Sequence, residues 1–100
     1  MQVKWTAKAV ADLQAIRRHI EQDKALAARK LVLRIIRLIE EDLTHQPGMG
    51  RPGRKQGTRE LVISGTPYFV PYLVRGSQLV IIRVLHGAMQ WPAEPGNVEG

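Results

Sequence analysis

Hydrophobic residues in the first half of the chain recur with a helical period. After a short extended stretch over residues 2–5, Thr6 is a suitable N-cap for a helix. The hydrophobic positions that follow are spaced by three and four residues: Val10, Leu13, Ile16 and Ile20. The step Asp23-Lys24 interrupts this pattern, and a second helix with a broad hydrophobic stripe is predicted over residues 25–43. The two helices are expected to form an antiparallel hairpin.

In the second half the hydrophobic period changes to two, which is typical of strands. Three strands are predicted within TRELVIS, TPYFVPYLV and QLVIIRVLH, joined by hairpin turns at SGTP and RGSQ. Pro71 lies inside the second strand, and proline has no backbone N–H to donate, so we expect a bulge or an unpaired side there. The sequence predicts an α+β fold: an N-terminal strand and a helical hairpin packed on a small antiparallel sheet, in the order β-α-α-β-β-β.

A glycine- and proline-rich segment, HQPGMGRPGRKQG at positions 45–57, connects the two halves. Its composition predicts irregular structure. Arg51, Arg54 and Lys55 lie in this segment and Arg59 follows it, so these four are the candidate residues for binding a target or nucleic acid. The alternative is that the segment only connects the helices to the strands.

The length of 100 residues corresponds to one domain, which we assign to residues 1–92, followed by a polar tail at residues 93–100. The chain has no cysteine, which excludes a disulfide scaffold, a thiolate zinc site and a cysteine nucleophile. No apolar run is long enough to span a membrane, and the first residues lack the apolar core of a signal peptide. We therefore expect a cytoplasmic protein without membrane contact.

Charge is distributed unevenly. The net charge is +6, and between positions 51 and 86 six basic side chains face a single acid, Glu60. A surface of this sign favours nucleic acid, a nucleoprotein particle or an acidic protein as partner.

Few residues are candidates for catalytic chemistry. The three histidines, at positions 19, 45 and 86, lack the spacing of metal ligands, and no phosphate-loop or dinucleotide fingerprint is present. We expect no metal, no cofactor and no small-molecule substrate. His86 differs from the other two because it ends a strand of the basic sheet, where a neutral imidazole can exchange a proton.

Arg59, Arg83 and His86 form a conceivable ribonuclease set, since arginines stabilise charge on a scissile phosphodiester. Strand alternation directs Arg83 and His86 to opposite faces, unless twist or a bulge brings them together. The structural alternative is an inward Arg83 that pairs with Glu60 or with backbone carbonyls.

Four stretches in order resemble the RelE/ParE superfamily of bacterial toxins: KWTAKAVADLQAI, GTRELVI, PYFVPYLV and IIRVLHGAMQWP. The likeness extends over residues 2–92. It implies two helices against an antiparallel sheet and a cognate antitoxin that folds along the toxin surface, in a hetero-oligomer. Arg75 and Trp91 are the residues that we expect to contact this antitoxin.

The superfamily divides by target. RelE-like members cleave messenger RNA in the ribosome with several basic residues and a Tyr or His near the end of the last strand, whereas ParE-like members inhibit DNA gyrase. Phe69 and Val70 stand where RelE-like enzymes commonly have an arginine, and Ala88 and Met89 stand where another basic residue is usual. Met89 also departs from the ParE pattern, in which a basic residue often follows HGA.

The resemblance therefore favours a non-catalytic, ParE-like inhibitor of DNA gyrase, in which His86 belongs to the end of the sheet and its interaction surface. A RelE-like ribonuclease acting on ribosome-bound mRNA through Arg59, Arg83 and His86 is the alternative. A non-toxic module that only binds its antitoxin is the third hypothesis.

Overall fold

The computed structural model describes residues 1–87. The elements in chain order are β1 (Gln2–Trp5), α1 (Ala7–Glu21), α2 (Ala25–Arg37) with a π-helical continuation (Leu38–Leu43), β2 (Arg51–Pro52), β3 (Arg59–Val62), β4 (Tyr68–Arg75), β5 (Gln78–Ile81) and β6 (Leu85–His86). The predicted domain boundary at residue 92 and the predicted tail lie outside the described residues. Within residues 1–87, neither helix combines the length and apolar character that crossing a bilayer requires.

Both helices lie where the hydrophobic period predicts them. Thr6 caps α1 as expected: its hydroxyl oxygen accepts a hydrogen bond from the backbone N–H of Ala9 at 3.0 Å. The same hydroxyl donates to the carbonyl of Ile82 at 2.8 Å, which ties the start of α1 to the sheet. The second helix begins at Ala25 and its helical run ends at Leu43, with π-helical geometry over the last six residues.

The sheet has the strand order β1-β5-β4-β3-β2, and β6 pairs with β4. The predicted α+β fold is confirmed, with one difference in strand direction. β1 runs parallel to β5, so the sheet is mixed, whereas all other pairs are antiparallel. A parallel pair requires a long connection, which the helical hairpin and three intervening strands provide.

The segment predicted to be irregular contains one short strand. β2 pairs with β3 through Arg51 opposite Glu60 and Pro52 opposite Arg59. Two residues are too few for hydrophobic alternation to appear, so this strand could not be seen in the pattern of the sequence.

The last predicted strand is divided in two by a bulge. Tyr72 lies opposite Ile81 and Phe69 opposite Leu85, so three steps along β4 face four steps along the partner chain. The extra residue lies within positions 82–84, opposite the proline of β4, and the carbonyl of Pro71 accepts a hydrogen bond from Ile82 at 2.9 Å. Pro71 thus lies in a continuous strand, and its partner chain contains the bulge.

The core lies between the helices and one face of the sheet. The helices contribute Leu13, Ile16 and Ile35, and the π-helical continuation contributes Ile39. The strands contribute residues such as Leu61, Val70, Leu79 and Ile81. Tyr72 belongs to this core and is fully buried. Its hydroxyl donates to the carbonyl of Pro47 at 2.7 Å and accepts from the backbone N–H of Gly50 at 2.9 Å, which fixes the connecting segment against the sheet.

Replacing Tyr72 by phenylalanine should lower the free energy of unfolding by about 1–3 kcal/mol, because the buried N–H of Gly50 loses its acceptor. Urea denaturation of the purified protein measures this change. Tyr68→Phe is the matched control, since the hydroxyl of Tyr68 makes no hydrogen bond within the described residues. Equal stability of the two variants would contradict the role given to the Tyr72 hydroxyl.

Tyr72 should also make the folded protein less stable in alkali. Burial raises the pKa of Tyr72, outweighing the lowering effects of its hydrogen bond to Gly50 and of the Arg59 charge. The folded state thus retains the proton that the unfolded state releases above about pH 10. Unfolding then releases a proton, and the free energy of unfolding falls as pH rises past this point. Comparing urea denaturation across pH 9–11 should show a smaller alkaline loss in the Tyr72→Phe variant than in the unmodified protein.

Candidate functional site

Two arginines of the connecting segment converge on one buried carboxylate. Glu60 is 1% exposed, and its Oε1 accepts hydrogen bonds from Nε and Nη2 of Arg51 at 3.2 and 3.0 Å. Its Oε2 accepts from the backbone N–H of Arg54 at 3.1 Å and lies 3.7 Å from the Nε of Arg54. A carboxylate this deeply buried requires such partners, because burying an unpaired charge costs several kcal/mol. We call Arg51, Arg54 and Glu60 the Glu60 clamp.

An aromatic ring supports the same two guanidinium groups. Cζ of Arg54 lies 4.9 Å from the ring centroid of Phe69, and Cζ of Arg51 lies 5.9 Å from it. Phe69 itself is buried. The attraction between a cation and a ring face adds to the ion pairs. The positions of both arginines are therefore set by Glu60 and Phe69, while about half of each side chain remains exposed, at 53% and 47%.

Arg59, the first residue of β3, is hydrogen-bonded to the backbone of the connecting segment. Its Nη1 donates to the carbonyl of Gly50 at 2.7 Å and to that of Gly48 at 3.3 Å. Lys55 lies in the turn between β2 and β3, where its carbonyl accepts a hydrogen bond from the Thr58 hydroxyl at 2.6 Å. The four residues predicted to bind a target thus lie on one continuous segment that ends in β3.

Arg83 makes a different pair from the one considered in the sequence analysis. Its Nε and Nη2 donate to the two carboxylate oxygens of Asp12 at 2.7 and 2.9 Å. Asp12 also accepts the backbone N–H of Val84 at 2.9 Å. Glu60 was therefore the wrong partner: Arg51 and Arg54 occupy it, and the bulge directs Arg83 to α1.

His86 lies at a groove beside α1. It pairs with Tyr68 across β6 and β4, and the two rings meet edge to face with centroids 5.5 Å apart. The groove has a volume of about 260 Å³ and is also lined by Asp12 and His19. Because Arg83 contacts Asp12 from the bulge, Arg83 and His86 both lie on the helix-covered face, as the bulged alternative of the sequence analysis allows.

The third member of the predicted ribonuclease set lies elsewhere. Arg59 is opposite Tyr72, whereas His86 is opposite Tyr68. These positions are four residues apart along β4, or about 13 Å at the usual strand rise. The structure therefore does not bring Arg59 next to His86.

Of the two residues predicted to contact an antitoxin, only Arg75 lies within the described residues. Arg75 is exposed at the end of β4, opposite Gln78 at the hairpin turn. Trp91 and the departures at Ala88 and Met89 lie outside the described residues.

Sequence reasoning overlooked Asp12. This residue is three positions after the buried Ala9 and one before the buried Leu13, so it lies at the edge of the hydrophobic face of α1. An acidic residue at the edge of a face that packs on a basic sheet is the signal that could have identified it.

Comparison with known sequences gives consistent matches over nearly the whole chain. The family described as ParE toxin of type II toxin-antitoxin system, parDE, matches residues 3–91. A Sinorhizobium fredii protein named Y4kP is 39% identical over 90 residues, covering 90% of this chain and 92% of that protein. Toxin RelE2 of Caulobacter vibrioides is 39% identical over 87 residues, covering 87% of this chain and 96% of its own length.

Two solved structures with the same fold come from toxin–antitoxin systems. The chromosomal ParDE system from P. aeruginosa contains a chain that superposes with a TM-score of 0.77 at 33% identity, covering 86% of this chain and 95% of that one. The toxin–antitoxin complex RelBE2 from Mycobacterium tuberculosis gives a TM-score of 0.65 at 24% identity, with 85% and 95% covered, a likeness of fold alone. This chain belongs to the ParE toxin family of type II toxin–antitoxin systems.

Proposed function

We propose that this toxin acts by inhibiting DNA gyrase and that a cognate antitoxin neutralises it by binding its surface. Membership of the ParE family supports the target, and the ParDE system of P. aeruginosa supports an antitoxin partner. One structural observation carries the choice against ribonuclease activity: the guanidinium of Arg83 is bound to Asp12.

A ribonuclease of this fold would need a positive charge beside the phosphodiester that it cleaves. Arg83 offers two of its donors to Asp12, and only 20% of its side chain is exposed. With so little of its side chain exposed, Arg83 has little surface to offer RNA unless the pair is broken, which would leave the Asp12 carboxylate without its counter-charge. Arg59 is about 13 Å along the sheet from His86 and donates to the loop carbonyls. These contacts give Arg59 and Arg83 structural roles.

A RelE-like ribonuclease is the second candidate, and the pairing of His86 with Tyr68 is the observation that favours it. An imidazole and a phenol meet at the edge of an open groove, where both could exchange protons with a bound substrate. In this alternative the partners are the ribosome and mRNA, and His86 is the residue on which cleavage depends.

The first prediction for function concerns gyrase itself. The purified toxin should inhibit DNA supercoiling by bacterial gyrase in a dose-dependent manner, and stoichiometric antitoxin should restore supercoiling. The measurement is the topoisomer distribution of a relaxed plasmid after incubation with gyrase and ATP. A folded sample that leaves supercoiling unchanged at every dose would contradict the proposal.

A second prediction separates the two candidate activities. His86→Ala should retain dose-dependent inhibition of gyrase, because His86 has no catalytic role in the proposed function. Primer extension on ribosome-bound mRNA should show no cleavage by either protein. Cleavage by the unmodified toxin that disappears in His86→Ala would establish the ribonuclease instead. Absence of both activities, with normal growth during high soluble expression, would favour the non-toxic antitoxin-binding module.

A further inference from the structure

The Glu60 clamp places positive charge outside and negative charge inside. Glu60 is 1% exposed, whereas the side chains of Arg51 and Arg54 are 53% and 47% exposed. From position 51 to 60, four basic side chains accompany this one acid, a net charge of +3. No other acidic residue occurs between positions 43 and 93. A ligand that approaches this segment therefore meets guanidinium groups and not the carboxylate that orients them.

The two guanidinium groups retain donors for a ligand. Arg51 uses Nε and Nη2 for Glu60, and Arg54 uses its backbone N–H with its Nε nearby. Nη1 of Arg51 and both terminal nitrogens of Arg54 make no hydrogen bond within residues 1–87. Guanidinium donors match the oxygens of a phosphate. Because Glu60 and Phe69 already fix both side chains, binding costs less conformational entropy than it would for two freely rotating arginines.

The amino-acid composition between Gly50 and Glu60 favours one class of anionic polymer as the ligand. Between Gly50 and Glu60 no apolar side chain is larger than proline, so the segment lacks the hydrophobic centre of a typical protein interface. The aromatic rings below it, Phe69 and Tyr72, are 2% and 0% exposed and offer no surface on which unpaired bases could stack. Contacts to the phosphates of a duplex need neither feature.

We propose that the exposed face of the Glu60 clamp binds the phosphate backbone of double-stranded DNA without sequence preference. This inference rests on the proposed function for its biological setting, since gyrase acts on duplex DNA. The clamp would then contact the DNA that gyrase holds while another surface of the toxin contacts the enzyme. Glu60 is a positioning residue in this arrangement, and Arg51 and Arg54 are the residues that touch DNA.

The binding is expected to be weak and strongly dependent on salt. Each neutralised phosphate contributes about 0.9 to the slope of log K against log salt concentration, so contacts from Arg51 and Arg54 predict a slope of about −2. A dissociation constant on the order of 10⁻⁵ M is expected at physiological salt, in the range of non-specific DNA binding.

The test is fluorescence anisotropy of a short labelled duplex of arbitrary sequence, titrated with the full toxin at several salt concentrations. Arg54→Gln keeps both hydrogen bonds from Arg51 to Glu60 and the backbone bond at position 54. This variant should bind the duplex about fivefold more weakly, with a slope about one unit shallower. Arg18→Gln removes the same charge from the exposed face of α1 and should change neither quantity appreciably.

A variant that binds DNA more tightly is a second test, because misfolding would weaken binding and would not tighten it. Gln56 is exposed in the turn between Arg54 and Arg59 and makes no hydrogen bond within the described residues. Gln56→Lys should tighten duplex binding about twofold to fivefold and Gln56→Glu should weaken it by a similar factor, because each changes only the local charge.

Three results would overturn the inference: no binding of the duplex by folded toxin at low salt, equal binding by Arg54→Gln and Arg18→Gln, or tighter binding of the single strand than of the duplex. The inference and the proposed function fail separately. Gyrase inhibition without DNA binding overturns the inference alone, and DNA binding without gyrase inhibition overturns the proposed function alone.

Discussion

The carboxylate of Asp12 joins the helical layer to the bulge between β5 and β6. It accepts two hydrogen bonds from the Arg83 guanidinium and one from the backbone N–H of Val84. The bulge leaves backbone groups outside the regular ladder, and Asp12 satisfies one of them while neutralising the neighbouring arginine. This contact holds α1 against the bulge, directly before the strand in which His86 lies beside Tyr68 at the groove.

Buried polar contacts also order the connecting segment, which lies beside β3 at the other edge of the sheet. Glu60 accepts hydrogen bonds from Arg51 and from the backbone N–H of Arg54. The Tyr72 hydroxyl accepts one from the N–H of Gly50, and Arg59 donates to the carbonyls of Gly48 and Gly50. A segment rich in glycine loses much conformational entropy on folding, and these buried polar contacts offset that loss. The result is a basic surface with defined side-chain positions in a stretch that has no apolar core of its own.

The two clusters of charge differ in what they leave available to a partner. Asp12 and Arg83 form a bidentate pair, and only 16% and 20% of these two side chains remain exposed, so this pair contributes to the structure. Glu60 is shared by two arginines, and about half of each arginine side chain remains exposed. One fold therefore contains one mostly buried arginine in an ion pair and two half-exposed arginines, which we propose contact DNA. This difference underlies our choice of a gyrase inhibitor over a ribonuclease.

Local patterns in the sequence determined the elements that depend on periodicity and capping. The hydrophobic spacing identified both helices and the three main strands, Thr6 identified the start of α1, and Pro71 marked where the ladder of the sheet is disturbed. These features depend on residues a few positions apart. The tertiary structure alone decided the parallel pairing of β1 with β5, the partner of Arg83 and the convergence of two arginines on Glu60. The Asp12–Arg83 pair joins residues 71 positions apart, and which of several acids an arginine meets depends on how the layers pack and where the bulge turns the chain.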